Sequence, residues 1–150
     1  MIFLHAILGL ILGKLTGHYL AFILGATLAD IDHIYIYLKN GARSVRGIID
    51  RICHEKRYHI VARTPLFHSM IGALLFTGIF AIFRPAEWWL FALAYCSHLL
   101  LDWPDKDPVF ILYPWKYPFI GPLDVWSKPE QVITVLSLLF VLYIFIQPYF

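Results

Sequence analysis

Residues Trp88 to Asp102 read WWLFALAYCSHLLLD. From Trp88 to Leu101 the run is apolar apart from Ser97 and His98, with no polar face for water. Tryptophans open it, as they do where a helix enters a lipid interface. Three similar runs flank it: Ile2 to Leu12, Leu66 to Phe83 and Val132 to Ile146. Several approach the roughly 20 residues that cross a bilayer core. The composition agrees. Of 150 residues, 60% are hydrophobic and 15% charged, and the mean hydropathy is +0.70. A single domain of this length has far more apolar surface than its own core can hide. The expected fold class is therefore all-α, a polytopic membrane helical bundle formed by residues 1–150 as one integral membrane domain.

Punctuation residues divide the chain. Helix 1 is expected over Ile2–Gly13, before the breaker cluster Gly13-Lys14-Leu15-Thr16-Gly17. The apolar start lacks a basic leader and a small-residue cleavage site, so it reads as a retained helix, not a signal peptide. Helix 2 should run from His18 through Leu28 and on towards Leu38, and helix 3 should start at Thr64-Pro65 and end before Arg84-Pro85. Helix 4 spans Glu87 to Asp102. Helix 5 follows a cap-like Ser127-Lys128-Pro129-Glu130 and ends near Gln147-Pro148. Between helices 2 and 3, Arg43, Arg46, Arg51, Lys56, Arg57 and Arg63 alternate with Val45, Ile48, Ile49 and Ile52, the pattern of an amphipathic interfacial helix. Five membrane segments are thus expected. Cys53 and Cys96 are too few for a disulfide framework and read as reduced thiols.

Ten of the twelve Lys and Arg residues fall in loops 39–65 and 103–129. The positive-inside rule then puts the N-terminus and both loops in the cytoplasm, and the C-terminus outside. The implied partner is membrane lipid; nucleic acid is not expected.

Ionisable groups inside such segments cost roughly 2.5–3.5 kcal/mol each to insert. Here they are His5, Asp30, Asp32, His33, His68, His98 and Asp102. Folding helices 1 and 2 as a hairpin at Gly13–Gly17 brings all of them to one end of the bundle, and shared burial offsets their desolvation. A straight helix would instead separate His5 from Asp30 by roughly 37 Å. Histidine nitrogen and carboxylate oxygen suit a divalent metal, zinc first, with manganese or iron as alternatives. His98 and Asp102 share a helix face. Asp30 and Asp32 cannot do so on a regular helix, so a shared ion requires a helix end or kink. The expected metal set is His5, Asp32, His68, His98 and Asp102, with His33 and Asp30 as catalytic groups. Ser69, beside His68, is a minor candidate nucleophile.

Taken in order, His5, Ala29-Asp30-Ile31-Asp32-His33, Phe67-His68-Ser69, His98-Leu99-Leu100-Leu101-Asp102 and Tyr113-Pro114-Trp115 resemble the predicted membrane-bound, metal-dependent hydrolases of bacteria and archaea. That pattern has an N-terminal His, Pro-Asp-x-Asp-His, Thr-His-Ser, His-Leu-Leu-Leu-Asp and a Trp-Pro loop. Ala29 stands where Pro is usual and Phe67 where Thr is usual. The resemblance implies a hydrolase. More distantly, the His-x-x-x-Asp pair is similar to that of zinc-dependent phospholipases C, which implies a phosphoester in a lipid. The rival function classes are a proton or metal-ion transporter and a non-catalytic membrane subunit with a relic site.

Overall fold

The computed structural model describes residues 2–58, 60–61, 63–124 and 127–147, and the side chains of 2, 53, 55 and 56 lie outside that description. The expectation for the Cys53 thiol and the position expected for the C-terminal Phe150 therefore lie outside the described residues.

The chain is helical: α1 Ile2–Thr16, α2 Tyr19–Thr27, α3 Ile31–Lys39, α4 Val45–Cys53, α5 Glu55–Tyr58, α6 Met70–Phe83, α7 Trp88–Asp102 and α8 Lys128–Ile146. The reversal between α1 and α2 falls at the breaker cluster. Gly17 adopts φ +79, the left-handed conformation that favours glycine, and α1 folds back along α2. Helix α2 also packs on α7, which in turn packs on α6, while α8 lies along α1. Small residues make the α2–α7 contact close. A Cβ on Gly25 would stand 2.5 Å from the Phe91 carbonyl oxygen and 2.7 Å from the Ala94 Cβ, the close-approach geometry of membrane helix pairs. Around this seam Ala21, Phe22, Ala26, Ala29, Phe80, Phe91, Ala94, Tyr95 and Leu99 form the main core.

Helices α2 and α3 are separated by a 3-10 turn over Leu28–Asp30. Helix 2 as expected from the sequence is therefore interrupted where its acidic residues begin. The start expected for helix 3 also moves. Thr64–His68 forms turn and loop, and α6 begins only at Met70, capped by Ser69, whose Oγ accepts the Gly72 N–H at 3.2 Å. Ser127 precedes α8 as expected but makes no side-chain cap.

Five membrane segments do not survive. Among the described residues, two helical stretches have the length and apolar composition to cross a membrane, Tyr19–Lys39 and Lys128–Ile146. Helices α1, α6 and α7 have 15, 14 and 15 residues. At about 1.5 Å per residue they reach little over 20 Å, short of a hydrocarbon core of about 30 Å. Apolar composition suggested a span for each, but length limits them.

The basic segment folds as α4 and α5. Ile48 and Ile52 pack against Ile36, Tyr37, Ala42 and Ile60, and Val45 and Ile49 are exposed. The loop after α7 is tied to itself by paired backbone hydrogen bonds between Val109 and Phe119 at 2.9 and 3.0 Å. Further bonds run from Lys106 to Leu123, Leu123 to Pro104 and Gly121 to Asp105. It is joined to the start of α6 where the Met70 N–H donates to the Ile111 carbonyl at 2.8 Å.

Candidate metal centre

Five parts of the chain supply the cluster. His5 comes from α1, Asp30 from the 3-10 turn, Asp32 and His33 from the first turn of α3, and His98 and Asp102 from the last turns of α7. His68 comes from the turn ahead of α6. Each of these seven residues is buried, and all seven meet in one cluster. The kink that the Asp30–Asp32 spacing calls for is the 3-10 turn. It points Asp30 towards His5 and His98, and leaves Asp32 facing His33 and His68.

His5, His33 and His98 each turn Nδ1 to an acceptor. His98 Nδ1 donates to the Ala26 carbonyl at 2.7 Å, His33 Nδ1 to Asp32 Oδ1 at 2.8 Å and His5 Nδ1 to Asp30 Oδ2 at 3.0 Å. His68 Nδ1 lies 3.3 Å from Asp32 Oδ2, without hydrogen-bond alignment. A carbonyl or carboxylate can only accept, so in the neutral ring the proton sits on Nδ1 and the Nε2 lone pair faces inward. His68 Nε2 and His98 Nε2 lie 3.4 and 3.3 Å from Asp102 Oδ2, and His5 Nε2 lies 3.4 Å from Asp102 Oδ1. His33 Nε2 and His98 Nε2 stand 3.7 and 3.9 Å from Asp30 Oδ1. Among the described residues, the three Nε2 atoms of His5, His68 and His98, together with Asp102 Oδ2, are buried without any hydrogen-bond partner. Three overlapping groups have ligand atoms close enough to share an ion: His5, Asp30 and His98; Asp30, His33 and His68; and His68, His98 and Asp102.

Three residues outside the expected set, Arg63, Asp105 and Thr64, complete the cluster. Arg63 Nη2 donates to Asp102 Oδ1 at 2.7 Å and also to Asp105 Oδ2. Burial works against the Arg63 charge, but Asp102 and Asp105 outweigh it and hold the guanidinium above the ordinary arginine value. Burial pushes the Asp105 carboxyl up, against the pull of Arg63. In the sequence Arg63 sits among the basic residues of a lipid-facing segment, and Asp105 is one of several loop carboxylates. The one signal for Asp105 is its place three residues after Asp102, across Trp103-Pro104. Thr64 also belongs: its N–H and hydroxyl both donate to Asp32 Oδ2, at 2.7 and 2.6 Å. Ser69 does not fit a nucleophile's part. Its hydroxyl donates to the Leu66 carbonyl at 2.8 Å and accepts the Gly72 N–H, so both its roles go to the helix cap.

A helical chain with two membrane-length stretches and a buried His/Asp cluster matches, over residues 2–150, the family described as YdjM inner membrane protein. The chain belongs to that family. No curated protein and no solved structure matches it. The match assigns it to a family of inner-membrane proteins, a coarser statement than the hydrolase family that the motifs resemble.

Proposed function

We propose that the chain is a membrane-embedded, metal-dependent hydrolase acting on an ester or phosphoester of a lipid-like substrate. The observation that carries this reading is the set of inward-facing atoms without partners: His5, His68 and His98 Nε2, and Asp102 Oδ2. Four buried acceptors cannot face one another dry, because each forfeits its hydrogen bonds to water. A cation shared by His68, His98 and Asp102 relieves three of them, and His5 joins His98 and Asp30 in an overlapping group. Zinc held by four ligands at about 2.0–2.1 Å has a tetrahedral edge of about 3.3–3.4 Å. His98 Nε2 and His68 Nε2 lie 3.3 and 3.4 Å from Asp102 Oδ2, while His5 Nε2 lies 3.4 Å from the other oxygen, Oδ1. Charge supports the same reading. The cluster gathers the carboxylates of Asp30, Asp32, Asp102 and Asp105, of which Arg63 pairs with Asp102 and Asp105, and buried charge is normally paired or metal-bound.

His68, His98 and Asp102 are the proposed ligands, with His5 beside them in the overlapping group of His5, Asp30 and His98, and manganese or iron would suit the same donors. When bound, such an ion polarises the ester or phosphoryl oxygen and lowers the pKa of a water towards neutrality. Asp30 and His33 line the more accessible edge, at 9% and 8% exposure, whereas His5, His68, His98 and Asp102 are no more than 1% exposed. They stand where substrate and water arrive, and either can take a proton as general base. That edge continues into the exposed apolar side chains Ile31, Ile34, Tyr35 and Leu38 of α3. Such surroundings suit an acyl chain better than a soluble metabolite. The distribution of Lys and Arg supports placing loops 39–65 and 103–129 and the N-terminus in the cytoplasm, with the C-terminus outside. Exposed Val45 and Ile49 on basic α4 support its lying at the lipid interface.

Metal analysis of detergent-purified chain, with hydrolysis of a phosphoester and a carboxylester probe before and after chelation, tests the proposal. Stoichiometric metal and chelator-sensitive turnover are expected. A chain that takes up no divalent ion under metal-replete conditions defeats it.

A further inference from the structure

The sequence places Asp32 beside Asp30 as a plausible ligand, yet the two carboxylates sit in different surroundings. Asp32 is 3% exposed, and both of its oxygens are engaged away from the inward Nε2 atoms. Oδ1 accepts from His33 Nδ1 at 2.8 Å. Oδ2 takes the Thr64 N–H at 2.7 Å and the Thr64 hydroxyl at 2.6 Å, with His68 Nδ1 3.3 Å away. Asp32 belongs to none of the three groups compact enough to share an ion. By contrast, Asp102 keeps one oxygen without a partner.

We infer that Asp32 is a positioning residue: it holds His33 by a hydrogen bond at Nδ1, faces His68 Nδ1 at 3.3 Å, and so aims both Nε2 atoms into the centre. The inference rests on the metal-dependent reading above. The physical reason is that a histidine ring has two nearly equivalent nitrogens, and a carboxylate on one of them fixes the tautomer, the ring plane and the basicity of the other. His33 comes from a helix and His68 from a turn; their rings lie 5.4 Å apart between centroids. A single carboxylate between them sets their mutual orientation. The Thr64 donors in turn fix that carboxylate, so residues 64 to 68 and the first turn of α3 form one frame. Asp32 touches no substrate in this arrangement and acts only through His33 and His68.

The test uses full-length, detergent-purified chain loaded with cobalt(II), comparing wild type with Asp32→Asn. Asparagine keeps the shape but removes the charge and one of the two acceptor oxygens. The expected result is cobalt binding weakened by about 10–100-fold, the usual loss for an outer partner of a ligand. X-ray absorption should show the same number of nitrogen and oxygen ligands, and the visible bands of the cobalt should move. Loss of one oxygen ligand in Asp32→Asn would make Asp32 a ligand and overturn the inference; affinity within twofold of wild type would overturn it as well. If Asp32→Asn does not fold, Thr64→Val carries the test. It removes the hydroxyl donor alone and should weaken cobalt binding by about two- to tenfold, the worth of one hydrogen bond; unchanged binding overturns the proposal. Wild-type chain that binds no cobalt defeats the metal reading itself, and this inference with it. Normal wild-type binding with an indifferent Asp32 defeats only the inference.

Discussion

Single side chains in the cluster have separable duties, and substitution can tell them apart. Ligands of one ion act as a unit, so their losses do not add. Chelation should lower the thermal midpoint of wild type by the binding linkage, and that decrement should vanish in His98→Ala. Asp102→Ala or His68→Ala in the His98→Ala background should then cost little further metal-linked stability. A chelator effect that persists in His98→Ala, read by thermal unfolding, would remove His98 from the ligand set. Ser69 makes the opposite case. Its hydroxyl caps α6, so Ser69→Ala should lose about 0.5–2 kcal/mol of stability and keep both metal affinity and turnover. A nucleophile would lose turnover instead. Side by side, the two assays distinguish a cap from a catalyst at adjacent residues, because His68 and Ser69 point into different networks.

Helices carry the cluster, and their close packing sets its dimensions. His98 reaches the Ala26 carbonyl at 2.7 Å only because α2 and α7 approach closely. That approach depends on Gly25, where an added Cβ would meet the Phe91 backbone at 2.5 Å. Backbone cannot yield as a flexible side chain can. Gly25→Val should therefore destabilise by about 1–3 kcal/mol or more, and it should weaken metal binding as well by moving His98 away from His5. A variant with wild-type midpoint and metal affinity would show that the seam is looser than the packing implies. The 3-10 turn at Leu28–Asp30 is the other element that matters. It changes the angular step between Asp30 and Asp32, so one carboxylate joins the inward atoms and the other braces the histidines.

The whole molecule combines a membrane-length stretch that carries Asp30, Asp32 and His33 with a second one, α8, that is largely exposed. Loops rich in Lys and Arg close the end of the bundle at which the cluster lies. In a background with both cysteines replaced by serine, a cysteine at exposed Arg46 should resist an impermeant thiol reagent in intact cells, and one at exposed Ala86 should be labelled. The reverse pattern would put the cluster, and its substrate, on the outer side. The outcome also bears on the shorter helices. Labelling at Ala86 requires the α6–α7 connection to reach the far interface, which helices of 14 and 15 residues can do only where the bilayer thins or the bundle holds them.

Apolar excess, the breaker at Gly13–Gly17 and the placement of the ionisable residues were enough to read a helical membrane chain with a hairpin that gathers seven polar groups. Each of those signals is local, because hydropathy, a glycine's backbone freedom and the cost of an unshared charge act over a few residues. The number of spans was not legible in this way, since composition measures how apolar a segment is and only the folded chain shows where a helix ends. Nor were the roles within the cluster. Asp30 and Asp32 are two residues apart and chemically identical in sequence, and they are distinguished by the 3-10 turn and by Thr64, 32 positions further on. Arg63 and Asp105 were hidden for the same reason. A guanidinium in a basic loop looks like a lipid-facing charge until the fold buries it against Asp102, and which partner a charge finds is decided by long-range packing, which no local pattern records.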